Sequence, residues 1–243
     1  MSTQYESLAL DTLYPDAFHV ATPTSPVGRE VWPRKPGVFI RQVAIKAEEV
    51  SPTPENPEGV EAEMTSEVTE VAPPARELVE GQLGFVPRWV KSASDAKLRS
   101  TKMVNTRSET VTTSNNTRDA WLAGQRCIVP MMSFLEDDWR TGKAVPTRIT
   151  RVDGKPMGVA GLWERWTNAE GEVIVSYTLL TVNANSHALM HRYQQPGNEK
   201  RMLAVLNEGG YDAWLSARPE KAREFLRAYP ANLLTANPVE KKR

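Results

Sequence analysis

One cysteine, Cys127, stands in 243 residues, so no disulfide can form within the chain. A lone thiol fits a reducing compartment. Histidine is scarce as well, with three in all. No cysteine pair has zinc-site spacing, and no glycine-rich phosphate loop occurs. His187 and His191 lie four residues apart, a spacing that suits zinc if both sit on one helix face. The zincin pattern needs a glutamate directly after the first histidine, and Ala188 is there instead. No metal or other cofactor is expected. No apolar run approaches the roughly 20 residues that span a bilayer. The first residues, Met1 to Glu6, lack the basic-then-apolar order of a secretory signal. These absences predict a cytoplasmic protein that engages no membrane.

Net charge is absent too: 30 lysines and arginines balance 30 aspartates and glutamates. That zero hides a strong asymmetry. Residues 47–80 hold ten glutamates, no aspartate and one arginine, Arg76, leaving 29 basic and 20 acidic residues elsewhere. A basic body attracts phosphate backbones, although surplus charge alone is a weak sign of nucleic-acid binding. The 47–80 stretch is rich in Pro and Glu and poor in large apolar residues. It cannot bury enough surface to offset its ordering entropy and reads as a surface insertion. It is either a solvated loop or an acidic segment that competes for a basic groove.

Elsewhere the pattern is rich in strands. Cys127–Pro130, Gly158–Trp163, Thr147–Arg151 and 173–182 are short apolar or alternating runs. Helical spacing is present over Asn185–Gln194, Gly210–Leu215 and Pro219–Tyr229, with a short helix over Asn115–Leu122. Interspersed short strands and helices predict an α+β fold built on a curved sheet or barrel. The expected organisation is one domain over 1–217, interrupted by the acidic insertion, with a C-terminal helix and tail over 218–243.

The polar motifs are dispersed. Asn105, Arg107 and Glu109 alternate, so an extended backbone places an amide, a cation and a carboxylate on one face. A polar strand edge reads the same way. Glu136 follows the apolar pair Phe134-Leu135, where burial would raise its pKa; a solvated acidic loop is the alternative. Cys127, inside Arg126-Cys127-Ile128-Val129-Pro130, reads as a buried structural thiol.

In this order, Met1–Glu6, Val31-Trp32-Pro33, Leu83–Trp89, Asn105–Thr110, Gln125–Pro130, Ser133–Trp139, Ala160–Trp166 and Thr178–Asn185 resemble the SRAP family of SOS response-associated peptidases, or abasic-site processing proteins. The resemblance covers most of the chain outside the insertion and the tail. It implies a β-rich SRAP-like fold and a single-stranded DNA partner carrying abasic sites, with a monomer as the expected state. In this family the initiator Met is removed, and the exposed cysteine condenses with the ring-opened sugar aldehyde to give a stable thiazolidine crosslink. Here Ser2 occupies that place. Its α-amine could still form a Schiff base, while a hydroxyl is a far poorer nucleophile than a thiolate. The resemblance assigns Asn105 to orienting the amine or sugar, Glu136 to proton transfer and Arg107 to a DNA phosphate. Trp89 and Pro87 fall near the DNA groove, where core packing is the alternative. The family's histidine falls on Gln194 when counted from Met190, with His191 the alternative. Met131 and Met132 stand where the family has small or acidic residues. Besides residual covalent chemistry, two readings stay open: a non-catalytic binder of damaged DNA, and an N-terminal-serine hydrolase.

Overall fold

The computed structural model describes residues 2–43 and 75–239. Among them twelve strands follow one another: β1 (Tyr5–Glu6), β2 (Glu30–Val31), β3 (Pro36–Gln42), β4 (Arg76–Leu83), β5 (Asn105–Arg107) and β6 (Arg126–Met131), then β7 (Ser133–Asp138), β8 (Val145–Arg151), β9 (Met157–Thr167), β10 (Val173–Asn183), β11 (Arg201–Leu203) and β12 (Leu234–Pro238). Five helices of four to eight residues sit between them, the longest being Ala93–Ser100. The fold is α+β and dominated by strands. No helix among the described residues is long and apolar enough to cross a membrane.

Two sheets organise the molecule. In the first, β10, β4, β3, β6 and β9 close on themselves, because β9 pairs with both β6 and β10. Closure removes the open edges of a curved sheet. The two long strands β9 and β10 form an antiparallel hairpin rich in β-branched and aromatic residues, which suit a pleated surface. Gly161 lets this wall come together: a Cβ there would lie 2.7 Å from the Thr178 carbonyl and 2.9 Å from Cys127 Sγ. Phe39, Ile40, Leu83, Ile128, Val159 and Leu179 of these strands are all buried in the core. Cys127 is buried with them, and burial pushes its thiol pKa up. It is a structural thiol.

The second sheet runs β12–β8–β7–β1–β2. The chain passes from β6 into β7 with only Met132 between, so the two sheets share one continuous segment. Tyr5 of β1 and Tyr177 of β10 join them again through hydroxyls 2.6 Å apart. The β1–β7 pairing sets Tyr5 against Phe134 and Glu6 against Ser133. That antiparallel register carries the residues before Tyr5 toward Glu136.

Three expectations are corrected. From Arg76 onward the acidic stretch is no surface insertion, because Arg76–Leu83 is β4 and pairs along the whole of β3. Glu77 there is held by Arg41 across the ladder at 2.7 Å. Residues 47–74 lie outside the described residues. The C-terminal segment joins the second sheet: β12 adds five residue pairs to β8, and Val239 N–H bonds the Pro146 carbonyl. Within it, the helix expected over Pro219–Tyr229 is only Pro219–Ala222 followed by a 3₁₀ turn, Arg223–Phe225. Pro230 disfavours helical backbone at Tyr229. Nor is Asn185–Gln194 an α-helix: a single 3₁₀ turn, Met190–Arg192, forms there. Polar side chains take over its backbone donors. Asn183 Oδ1 accepts from Asn185 N–H, and His187 Nδ1 accepts from the N–H groups of Leu189 and Met190. His187 is thereby a cap, and its other ring nitrogen bonds the Tyr229 carbonyl.

Candidate active site

Ser2 is buried beside Glu136 at the join between the sheets. The Ser2 nitrogen donates to Glu136 Oε1 at 2.6 Å. Ser2 Oγ donates to the Gln4 carbonyl at 2.9 Å. Asn105, at the start of β5, donates from Nδ2 to the Ser2 carbonyl at 2.6 Å. β5 runs parallel to β10, with Asn105 opposite Leu179, so the barrel wall positions this amide. Asn105 Oδ1 is buried and has no hydrogen-bond partner among the described residues. A buried acceptor without a donor is costly, and a ligand hydroxyl would satisfy it.

Glu136 sits on the inner face of β7 and is 3% exposed. Burial raises its pKa to about 7, while hydrogen bonds from Ser2 and Gln194 pull the other way. It therefore changes charge near neutrality, as a proton-transfer group must.

Of the two candidates for the family's histidine position, Gln194 is the one that meets Glu136. Its backbone is left-handed, with φ of 68°. Neighbouring bonds hold it there: Gln194 N–H donates to the Asp137 carbonyl at 2.8 Å, and Lys200 Nζ donates to the Gln194 carbonyl at 3.0 Å. The side-chain amide is clamped to a backbone unit. Nε2 donates to the Arg201 carbonyl at 2.6 Å, and Oε1 accepts the Arg201 N–H at 3.2 Å. An amide so held presents a donor to Glu136 and cannot titrate. His191 is exposed, and its Nδ1 bonds the His187 carbonyl at 2.7 Å. Replacing Gln194 with alanine removes both bonds to Arg201 and should cost about 2 kcal/mol of folding stability. Urea denaturation measures this; a change within about 0.5 kcal/mol, the scale of an ordinary surface substitution, would show that the clamp is not structural.

Arg107 lies near this centre without entering it. It is exposed and ion-paired with Glu199 at 2.7 Å. Glu199 also holds Arg201 at 2.8 Å, and Arg201 in turn holds Glu109 at 2.8 Å. Arg201 is buried, and bonds to Thr181 Oγ1 and the Thr181 carbonyl occupy its remaining donors. The alternation of Asn105, Arg107 and Glu109 thus holds in part. Asn105 serves the Ser2 site, whereas the other two belong to a charge network tying β5 to β10 and β11.

Trp89 is 41% exposed, so it is not a core residue. Gly84, with φ of 112°, turns the chain out of β4 into the segment that carries it. Val86 and Val90 anchor that segment against Trp166. Arg99 lies over the Trp89 ring at 4.4 Å and is fixed by Asp95. Pro87 is buried, against the expectation that it lies on a groove surface, while Trp89 stays outside.

The sequence reading missed Trp32 and Arg201. Trp32 lines the cleft whose wall is Glu136. Its position in Val31-Trp32-Pro33 was visible, but nothing local says that it faces Glu136. Arg201 looks like any surface cation until β10 and β11 bury it.

Comparison with known proteins gives the family and the fold. The family model described as SOS response associated peptidase (SRAP) matches residues 28–242. Over 162 residues the chain is 30% identical to the abasic site processing protein YoqW of Bacillus subtilis (strain 168), covering 64% of this chain and 66% of YoqW. The abasic site processing protein YoaM of the same organism is 28% identical over 162 residues, 64% of this chain and 65% of YoaM. The chain thus spans about two thirds of these relatives' length. A crystal structure of a protein from Bordetella bronchiseptica is 37% identical, covers 98% of this chain and 100% of that one, and superposes with a TM-score of 0.81. A second crystal structure, of a protein from Bacteroides thetaiotaomicron, is 23% identical over 68% of this chain with a TM-score of 0.62, a likeness of fold alone.

Proposed function

Because this chain belongs to the SOS response associated peptidase (SRAP) family, we propose that it processes abasic sites in single-stranded DNA through the Ser2 nitrogen. Relatives named abasic site processing proteins support the substrate class. The observation that carries the mechanism is the 2.6 Å contact between the Ser2 nitrogen and Glu136.

Removal of Met1 turns that nitrogen into an α-amine with a pKa near roughly 8. A useful fraction is neutral at neutral pH. The amine adds to the aldehyde carbon of the ring-opened sugar; the alkoxide so formed takes a proton from water, and the nitrogen loses one to Glu136. Glu136 returns a proton to the carbinolamine hydroxyl, which leaves as water, and an imine joins Ser2 to the DNA. A pKa of about 7 lets one carboxyl do both halves. Asn105 holds the Ser2 carbonyl with its amide nitrogen and offers its unpartnered Oδ1 to a sugar hydroxyl. Arg107 leaves Glu199 for a phosphate, where its fork fits two oxygens. Trp89 offers a flat face at the groove.

The adduct stops at the imine. A hydroxyl closing on it gives an oxazolidine, which hydrolyses readily, and Ser2 Oγ is in any case committed to the Gln4 carbonyl. The same commitment disfavours the N-terminal-serine hydrolase, which needs its hydroxyl activated by its own amine.

Borohydride trapping tests the reading. Protein with Met1 removed is mixed with a single strand carrying one abasic site. A denaturing gel should show a shifted band only when borohydride is present, because reduction makes the imine permanent. No band under either condition would leave a non-covalent binder of damaged DNA as the better account.

A further inference from the structure

We propose that Trp32 is a stacking platform for an unpaired nucleobase flanking the reactive position, an inference that rests on the function proposed above. Trp32 is 45% exposed and lines a cleft of about 240 Å³ with Gln4, Leu135, Pro146 and Glu136. The indole and the carboxyl that holds the Ser2 nitrogen therefore share one opening.

The indole is presented by a stiff turn. Between β2 and β3 the chain folds so that Lys35 N–H donates to the Trp32 carbonyl at 2.9 Å. Arg34 adopts a left-handed backbone, φ 66°, unusual for a residue that is not glycine. Two bonds to Leu83 hold it there: Arg34 N–H to the Leu83 carbonyl at 2.7 Å, and Leu83 N–H to the Lys35 carbonyl at 3.1 Å. Such strain persists only where the surroundings over-determine it, and it gathers at sites of function. The indole nitrogen reaches toward Glu30 at 3.4 Å, which steadies the ring along β2. Leu83 also opens the segment leading to Trp89, so both exposed indoles are anchored to the same strand end.

The chemistry selects the ligand. A large aromatic face held rigid beside a polar cleft suits a flat, π-rich partner, and every nucleobase has such a face. Arg34 and Lys35, in the same turn, are exposed and form no ion pair with another described residue. They complement the phosphates of a strand whose base lies on Trp32. When a sugar without a base enters the cleft, a neighbouring base held on the indole fixes the strand's register.

The test compares the parent protein with Trp32→Ala and Trp32→Phe by fluorescence anisotropy. One labelled ligand is an eleven-residue oligothymidylate; the other is a chain of the same length made of base-free tetrahydrofuran units. Trp32→Ala should weaken binding to the base-bearing strand about tenfold, and Trp32→Phe by no more than about threefold. Neither should change binding to the base-free chain. Equal losses on both ligands, or none on either, overturn the platform. The same three proteins carrying Ser2→Cys are then offered an abasic single strand. Crosslinking without a base-dependent defect removes the platform alone. Neither binding nor crosslinking by any of them removes the proposed function and the platform with it.

Discussion

Ser2→Cys protein, with Met1 removed, should form an adduct with abasic single-stranded DNA that survives boiling without borohydride, where the parent forms none. The substitution exchanges one oxygen for sulfur beside an amine already placed 2.6 Å from Glu136. A thiol has a pKa near about 8.5, so part of it is thiolate at neutral pH, whereas a serine hydroxyl is not ionised. Once the amine has formed the imine, the sulfur adds to the C=N carbon and the nitrogen takes up the proton. The five-membered thiazolidine that results does not revert readily. The expected change is from an undetectable heat-stable band to conversion of most of the DNA. If Ser2→Cys gives no stable band while borohydride still traps an imine on it, then Gln194 or the geometry of closure, and not the missing sulfur, blocks the last step. The result would also separate the contribution of Ser2 from that of Gln194.

Glu136→Gln should slow imine trapping by roughly a hundredfold or more and leave only the pH dependence of the α-amine, because proton transfer by a placed side chain contributes about 10² to 10⁴ in rate. In the parent the trapping rate should also depend on pH through Glu136, whose pKa burial raises. Stability should change in the opposite sense to that of a salt-bridged carboxylate. The folded protein keeps a proton on Glu136 that the unfolded chain releases near pH 4.5, so folding binds a proton between pH 4.5 and about 7. The group is most favourable to folding at low pH, and stability declines as pH rises through about 7. The full penalty above that pH is on the order of 3 kcal/mol. Glutamine lacks it. Urea denaturation at pH 5 and pH 8 should therefore show the parent losing stability relative to Glu136→Gln as pH rises. A parent that keeps a constant difference from the variant over that interval would mean that Glu136 is ionised throughout.

The order of short motifs specified the family and its β-rich α+β class, because strand periodicity and the residues around each strand are local properties. Cys127 was readable as a core thiol for the same reason. The sequence also disclosed that a serine, Ser2, follows Met1, a chemical fact that no folding changes. Helices were less legible. Asn185–Gln194 has helical spacing, yet Asn183 and His187 side chains capture the backbone donors that a helix would use. Such competition depends on where the side chains sit, not on periodicity. Pro219–Tyr229 shortened because its end must leave the helix and lead into β12, a long-range demand.

The site divides the same way. Sequence determined which residue types are available: a small residue after Met1, an amide at 105, a carboxylate at 136 and no histidine at 194. Only the tertiary structure decided which of them meet. The β1–β7 register brings Ser2 to Glu136, across 134 positions of chain, and burial there moves the carboxyl pKa to about 7. The choice between Gln194 and His191 fell to a left-handed turn and a clamp on the Arg201 backbone, neither of which has a local signature. The placement of Trp32 over the same cleft came from two bonds to Leu83, about fifty residues away in the chain. Local pattern fixes what a segment prefers; desolvation and side-chain meetings arise only when distant segments exclude water together.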